Sequence, residues 1–459
     1  MMLHRGGAAR LRVRLAGASG GVDAAKNAAA AKMLSTTAED GAKEERKPQG
    51  PLAGVRVIEV GNFIAGPQAG TILAYYGAEC IKIEPPGGDQ VRKFRNVDPT
   101  GTSWWWRSIG RNKKSIELDL KKPGAQQLVR DLCKDADVLL ENFRPGKMES
   151  WGLGPDDIAK VNDLVYTRVS GYGQDGPYAP RPGFASSCEA MGGFRYVNGF
   201  PDRPSVRPNL SLGDTLAGIH GAMGTAMALF ARQKGSNPDA KFQVVDASIF
   251  ESVWQIMEGV LPDYDGEGLV REPSGSTVTG IVPTNTYPTS DGKAVVIGSN
   301  SNALFKRLML QIGRPDIAED EKYSDNQKRV EHQEYLDKVI GDWAQQHTAQ
   351  EVMDCVNKAQ VPNGLIYSIE DIVDDPQYKA RGMIEEVHVP ALNRNLKIPG
   401  MAPKFSKTPG ATLWPGAELG EHTQEILDLV GYTPEQIQAL TDEGALLWPT
   451  GAGPSSASA

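Results

Sequence analysis

"VRVIEVGNFIAGPQAGTILAYYGAECIKIE", residues 55–84, is the stretch on which the fold turns. Its opening "VRVIEV" (55–60) is a short apolar run rich in β-branched residues, which suits a buried strand. "PQAGTILAYYG" (67–77) has apolar residues at helical spacing, a proline that can open a helix and Gly77 to stop it. "AECIKIE" (78–84) reads as a second strand. Parallel neighbours need a crossover between them, so strand, helix and strand in succession predict a parallel sheet.

The alternation continues through "SIELDL" (115–120), a helix in "GAQQLVRDLCKDA" (124–136), "DVLLENF" (137–143) and "LVYTRVSGYG" (164–173). The expected class is therefore α/β, with a Rossmann-like parallel sheet. "TLAGIHGAMGTAMALFARQ" (215–233) reads as a long helix whose glycines lower helix propensity, so they imply close packing against a neighbour. Beyond about residue 265 the texture changes. "YDGEGLVREPSGSTVTG" (264–280) is polar and Gly-rich, and strand-like "IVPTNTYPTSDGKAVVIG" (281–298) turns at Asp291-Gly292. A charged helical section runs on to about Val361. The expected division is a leader (1–50), the first part of a large domain (51–265) and a small α+β domain (266–363). A return to the large domain (364–448), with a last helix in "EHTQEILDLVGY" (421–432), precedes a disordered tail (449–459).

Hydrophobic residues make up 40% of the 459 and charged residues 23%, the balance of an ordinary globular protein. No run approaches the roughly 20 apolar residues of a membrane span. The 4 cysteines and 6 histidines are scattered without ligand spacing, so neither a metal site nor a disulfide framework is expected. Arg5, Arg10, Arg12 and Arg14 precede the first acidic residue, Asp23, which reads as a mitochondrial transit peptide; a basic tail without targeting meaning is the other reading. The first 50 residues hold 9 basic and 5 acidic residues, so the body that follows carries a net charge of −12. Such a body is a poor match for nucleic acid, and an anionic ligand would need a local cluster of cations.

Candidates for such a cluster stand at strand ends. "GNFIAGPQAG" (61–70) lies between a strand and a helix, where α/β sheets place phosphates. Its glycines are too widely spaced for G-x-G-x-x-G, which weakens an NAD reading with Glu84 on the ribose. Arg111, Lys113 and Lys114, with Lys121 and Lys122, flank one strand, while Arg144 and Lys147 follow another. Together they could hold a phosphorylated cofactor. "SLGDTLAG" (211–218) presents Asp214 as either a helix cap or a displayed carboxylate. A capping box would want Glu or Gln at the position of Ala217.

In order along the chain, the stretch from Pro51 to Asp89, "GRNKKSIELDLK", "ENFRPGKMESWGLG", "SGYGQDGPYAPRPGF" and "SLGDTLAG" resemble the class III CoA-transferase (CaiB/BaiF) family, from about Pro51 to about Trp448. "GFASSCEAMGG" and the segment down to "SLGDTLAG" are most similar to members using succinyl-CoA and a small dicarboxylate: itaconate, citramalate, malate or mesaconate, with glutarate a looser match. The resemblance implies an interlocked homodimer whose large domain is built from both chain ends, with coenzyme A entering as acyl-CoA substrate. It implies the nucleophile Asp214 in Gly213-Asp214-Thr215, and CoA contacts at Phe63, Ile64, Ala65, Leu118, Lys121, Asn142, Phe143 and Arg144. Formyl-CoA transferases of the family have Gln at the place of Ile64, Arg at that of Ser150 and a tetraglycine loop near "SGSTVTG" (274–280); these departures argue against formyl or oxalate specificity.

The family's racemases use a His-Asp pair where this chain has Phe184 and Ala185. Racemisation needs a base and an acid at the α-carbon, so it becomes the alternative, beside a non-catalytic CoA-binding protein. A carboxylate of ordinary pKa, ~3.9, is ionised at neutral pH and can attack a thioester without a base. A helix N-terminus at Asp214 is expected to keep it so. Arg207, then Arg195, are the candidates for the substrate's distal carboxylate.

Overall fold

The structure, a computed structural model, describes residues 50–235 and 237–449. The expected leader and tail lie outside these residues, save Gly50 and Pro449.

Six strands run parallel: β1 (Arg56–Glu59), β2 (Glu79–Glu84), β3 (Lys113–Leu118), β4 (Val138–Glu141), β5 (Val165–Ser170) and β6 (Gln243–Ser248). Their order is β3-β2-β1-β4-β5-β6. Ile58 of β1 pairs with Ile81 on one side and Leu139 on the other, so the centre of the sheet is apolar on the register itself. Strand order reverses at β1 and β4. Open α/β sheets bind ligands beyond the carboxyl ends of such a pair.

Helix α1 (Ala65–Tyr75) follows β1, α2 (Pro123–Cys133) follows β3, α3 (Ala185–Met191) follows β5, and α4 (Leu212–Lys234) precedes β6. Leu128, Val129 and Leu132 of α2 fill one face of the sheet, together with Ile426 and Leu440 from the C-terminal segment. Ala69 and Leu73 of α1, with Ala217 and Ala222 of α4, fill the other. The glycines of α4 do bring helices together. A Cβ at Gly218 would stand 2.7 Å from the Gln68 side chain and 2.9 Å from the Ala65 carbonyl.

Residues 282–365 build a separate apolar core around the antiparallel strands β7 (Thr284–Pro288), β8 (Ala294–Gly298) and β9 (Asn363–Leu365). The turn joining β7 to β8 falls at Asp291-Gly292, with Gly292 at φ +75°. A hairpin, β10 (Ile384–Val389) and β11 (Arg394–Pro399), leads back to the main sheet.

Two features differ from the expectation. A helix, Val260–Glu267, runs into the polar Gly-rich stretch. After the helix Thr423–Leu429, another (Pro434–Glu443) delivers β12 (Leu446–Leu447), which pairs antiparallel with β3, so the sheet is not wholly parallel. Among the described residues no helix is long and apolar enough to cross a membrane.

Candidate active site

The loop after β1 is fixed from three sides. Asn142 grips Asn62 through both backbone groups: its Oδ1 accepts the N–H at 2.8 Å and its Nδ2 donates to the carbonyl at 2.7 Å. A Cβ at Gly66 would meet the Asn142 side chain at 3.0 Å, tighter than ordinary packing, so glycine favours this close approach of the loop. From below, Lys82 donates to the Gly61 carbonyl at 2.7 Å and to Glu59 at 2.8 Å, and pairs with Asp89 at 2.9 Å. Asp89 accepts the Phe63 N–H at 3.0 Å, which holds Phe63 at φ +64°, a left-handed conformation costly for a bulky residue. Lys113 pairs with Glu59 at 2.8 Å and donates to the Pro67 carbonyl at 2.6 Å. Lys82 and Glu59 are wholly buried, and the pull of Asp89 and Glu59 outweighs burial to raise the Lys82 pKa.

Beyond the carboxyl ends of β1 to β4 opens a cleft of about 280 Å³, lined by Asn62, Pro86, Leu118, Lys121, Phe143 and Trp151 among others. It thus gathers Leu118, Lys121 and Phe143 of the expected CoA residues. Arg144 is exposed on the loop after β4 and forms no ion pair with a described residue. Ile64 is buried among Val91, Trp106 and Ile109, and Ala65 is buried in the core beside α4. Asn142 is expected at the cofactor, but its side-chain amide is committed to Asn62. Asn62, not singled out in the sequence, instead lines the cleft with a buried side-chain oxygen that has no partner among the described residues.

Part of the expected anion cluster must be corrected. Arg111, Lys113 and Lys114 sit at the start of β3, away from the cleft, and are already engaged. Arg111 donates to the Ser108 and Pro399 carbonyls, Lys113 pairs with Glu59, and Lys114 with Glu79 and Glu425. Their acidic partners lie far away in sequence, which is why they look free there. Glu84 is likewise engaged: it accepts from Arg92 twice, from Ser115 and from the Asp89 N–H, leaving no oxygen for a ribose. The NAD reading loses its acid.

Asp214 stands in the first turn of α4, three residues past the N-cap Ser211, so it is not the cap. The contact of Gly218 with Ala65 sets this turn against the start of α1, and Phe63 stacks edge-on against Phe184 before α3, with ring centroids 5.8 Å apart. The N-terminal half of α4, which carries Asp214, therefore packs against the start of α1. The Asp214 carboxylate receives no hydrogen bond from a described residue; burial, then the negative charge of Glu189, push its pKa up to about 7 against the pull of Arg207. The expectation of an ordinary, fully ionised carboxylate is corrected: desolvation outweighs the helix N-terminus here.

Glu189 is the residue that sequence reasoning missed. It is wholly buried on α3 and accepts the Gly213 N–H at 3.1 Å. Arg195 reaches it at 3.3 Å and Arg207 at 3.9 Å, and both guanidinium groups also donate to Ser186. The two candidate arginines are thus brought together on Glu189, and the charge of Arg207 acts on Asp214. A single Glu inside "SSCEAMGG" carries no spacing that would reveal such partners.

A family model described as CoA-transferase family III matches residues 52–423. The chain belongs to this family, known also as CaiB/BaiF. It is 43% identical to the succinyl-CoA–D-citramalate CoA-transferase of Chloroflexus aurantiacus, covering 86% of this chain and 98% of that one. It is 37% identical to the β subunit of succinyl-CoA–L-malate CoA-transferase from the same organism, covering 85% and 96%. Identity to the succinyl-CoA:glutarate CoA-transferase of Mus musculus is 30%, over 86% and 90%. Among solved structures, a CaiB/BaiF family protein from Brucella suis superposes with a TM-score of 0.73 at 27% identity, covering 83% of this chain and 99% of that chain. The mixed α/β architecture with its mostly parallel sheet is the one these family III structures share.

Proposed function

We propose that this family III enzyme transfers CoA from succinyl-CoA to a short dicarboxylate through a covalent intermediate on Asp214. The observation that carries the reading is the Asp214 carboxylate: half-buried in the first turn of α4, without a hydrogen bond from a described residue, and in the field of Arg207, which shares Glu189 with Arg195. The Asp214 carboxylate attacks the thioester carbonyl; the C–S bond breaks, and CoA leaves as thiolate from an acyl–aspartyl anhydride. The thiolate then attacks the aspartyl carbonyl, releasing succinate and leaving an aspartyl–CoA thioester. The acceptor carboxylate attacks that thioester, the thiolate departs again and returns to the new acyl group, and Asp214 is regenerated. Every step exchanges one activated acyl bond for another, so no outside energy is needed. The buried setting suits an anhydride that water would destroy.

Phe63 and Ala65, through their backbone, and Leu118, Lys121, Phe143 and Arg144 are assigned to the CoA, with Asn62 added and Asn142 holding the loop. Arg207 and Arg195 are assigned to the carboxylate that every dicarboxylic substrate keeps free. Citramalate and malate, named for the relatives of 43% and 37% identity, head the acceptors, ahead of itaconate, mesaconate and glutarate. The mitochondrial matrix is the proposed site of action, from the Arg-rich, acid-poor start of the sequence. We also propose the interlocked homodimer, with 51–265 and 364–448 as the large domain and 266–363 as the small. Ile219, Met223, Met227 and Phe230 form an exposed apolar stripe on α4, a face suited to a second copy. The test is an acceptor panel with succinyl-CoA: product acyl-CoA should form with a citramalate-type acid and vanish in Asp214→Asn. Turnover retained in that variant contradicts the reading.

A further inference from the structure

We propose that Glu189 is a positioning residue that keeps Arg195 and Arg207 off the nucleophile, so that Asp214 stays unpaired until the acyl-CoA arrives; this rests on the reading of Asp214 as nucleophile. Two cations stand beside two carboxylates here, and the geometry divides them unequally. Glu189 Oε2 takes Arg195 at 3.3 Å and Arg207 at 3.9 Å. Ser186, one turn earlier on the same face of α3, accepts from Arg195 at 3.1 Å and from Arg207 at 2.6 Å, and the Leu210 carbonyl accepts from Arg207 at 3.0 Å. Asp214 receives none of these bonds.

The division matters chemically. A carboxylate clamped by a guanidinium fork has its lone pairs engaged in charge-assisted hydrogen bonds and is a weaker nucleophile. If Glu189 were uncharged, Arg207, whose charge already acts on Asp214, would lose its anionic partner. The residue beside the nucleophile has the shape this requires. A Cβ at Gly213 would stand 3.1 Å from Glu189 Cγ and 3.0 Å from Ile249, tighter than side chains ordinarily pack, so glycine gives Glu189 room to reach the Gly213 N–H with its other oxygen. One buried carboxylate thereby fixes the first turn of α4 and parks both arginines. The arginines can exchange Glu189 for a substrate carboxylate without passing to Asp214.

Glu189→Gln keeps an acceptor for the Gly213 N–H and removes the charge. The readout is single-turnover release of CoA from saturating succinyl-CoA, with the adduct located by peptide mass mapping. We expect Glu189→Gln to slow release by about tenfold or more and to move the acid limb of its pH profile to lower pH, because a guanidinium partner favours the ionised Asp214. A purely structural Glu189 would slow release without moving that limb. Ser186→Ala, at an exposed position, keeps the Glu189 charge, so a slowing of about threefold with the same direction of shift reports the freed arginines alone. Wild-type rates in both variants, or slower release with an unmoved limb, overturn the inference. An adduct absent from Asp214 in the unsubstituted enzyme overturns instead the reading on which it rests.

Discussion

Asn142 holds both backbone groups of Asn62, the N–H at 2.8 Å and the carbonyl at 2.7 Å, so a residue at the end of β4 fixes the loop that follows β1. Asn142→Ala would orphan both groups and unpin the loop lining the cleft. We expect the KM for succinyl-CoA to rise about tenfold with a smaller change in kcat, and stability to fall by about 1–3 kcal/mol. Steady-state kinetics with a denaturant melt check both; an unchanged KM would show that the loop is held by other contacts.

The raised pKa of Asp214 sets a pH dependence. Only the ionised carboxylate attacks, so kcat/KM for succinyl-CoA should fall about tenfold per pH unit below an apparent pKa of about 7, the value reached through burial and Glu189. A limb centred near pH 4 would mean that Asp214 titrates as an exposed aspartate does.

The same shift has a sign for stability. Asp214 has a higher pKa folded, about 7, than unfolded, so the folded state loses stability as pH rises through that interval and the charge must be buried. Asp214→Asn carries no such charge. Its stability relative to the unsubstituted protein should be nearly pH-independent below about pH 4 and grow to an advantage on the order of 2 kcal/mol above pH 7. Melts across pH 4–8 read it directly, and a gap that shrinks with rising pH contradicts the assignment.

Beneath the β1 loop, Lys82 joins Glu59 and Asp89 with no side chain exposed to water. Removing one partner strands a buried charge. Lys82→Met should therefore destabilise the protein by about 3–5 kcal/mol, while the exposed-pair control Lys338→Met, which breaks a surface pair with Asp342, should cost under about 0.5 kcal/mol. Urea melts of the two variants compare them.

The sheet was legible because its strands are apolar and alternate with helices at βαβ spacing; "VRVIEVGNFIAGPQAGTILAYYGAECIKIE" becomes β1, α1 and β2 with ends shifted by a residue or two. β12 was not legible, since two leucines after a helix carry no strand period. The site divides along the same line. Asp214 stood out through the family's G-D-T motif, and Leu118, Lys121 and Phe143 through the same resemblance, Lys121 also by its place at a strand end. Glu189, Asp89 and the engagement of Arg111, Lys113 and Lys114 depend on packing that brings in partners as distant in sequence as Pro399 and Glu425, which no local pattern encodes. The charge state of Asp214 was misjudged for a related reason: burial is a property of packing, and sequence shows only the helix start.

The most direct test of the account is hydroxylamine trapping. The enzyme is incubated with succinyl-CoA and hydroxylamine, digested, and its peptides are mapped by mass. An aspartyl anhydride or aspartyl–CoA thioester is cleaved to a hydroxamate, so the account predicts that modification at Asp214 alone, and only when succinyl-CoA is present. A hydroxamate on another carboxylate, or none under conditions of full turnover, would contradict it.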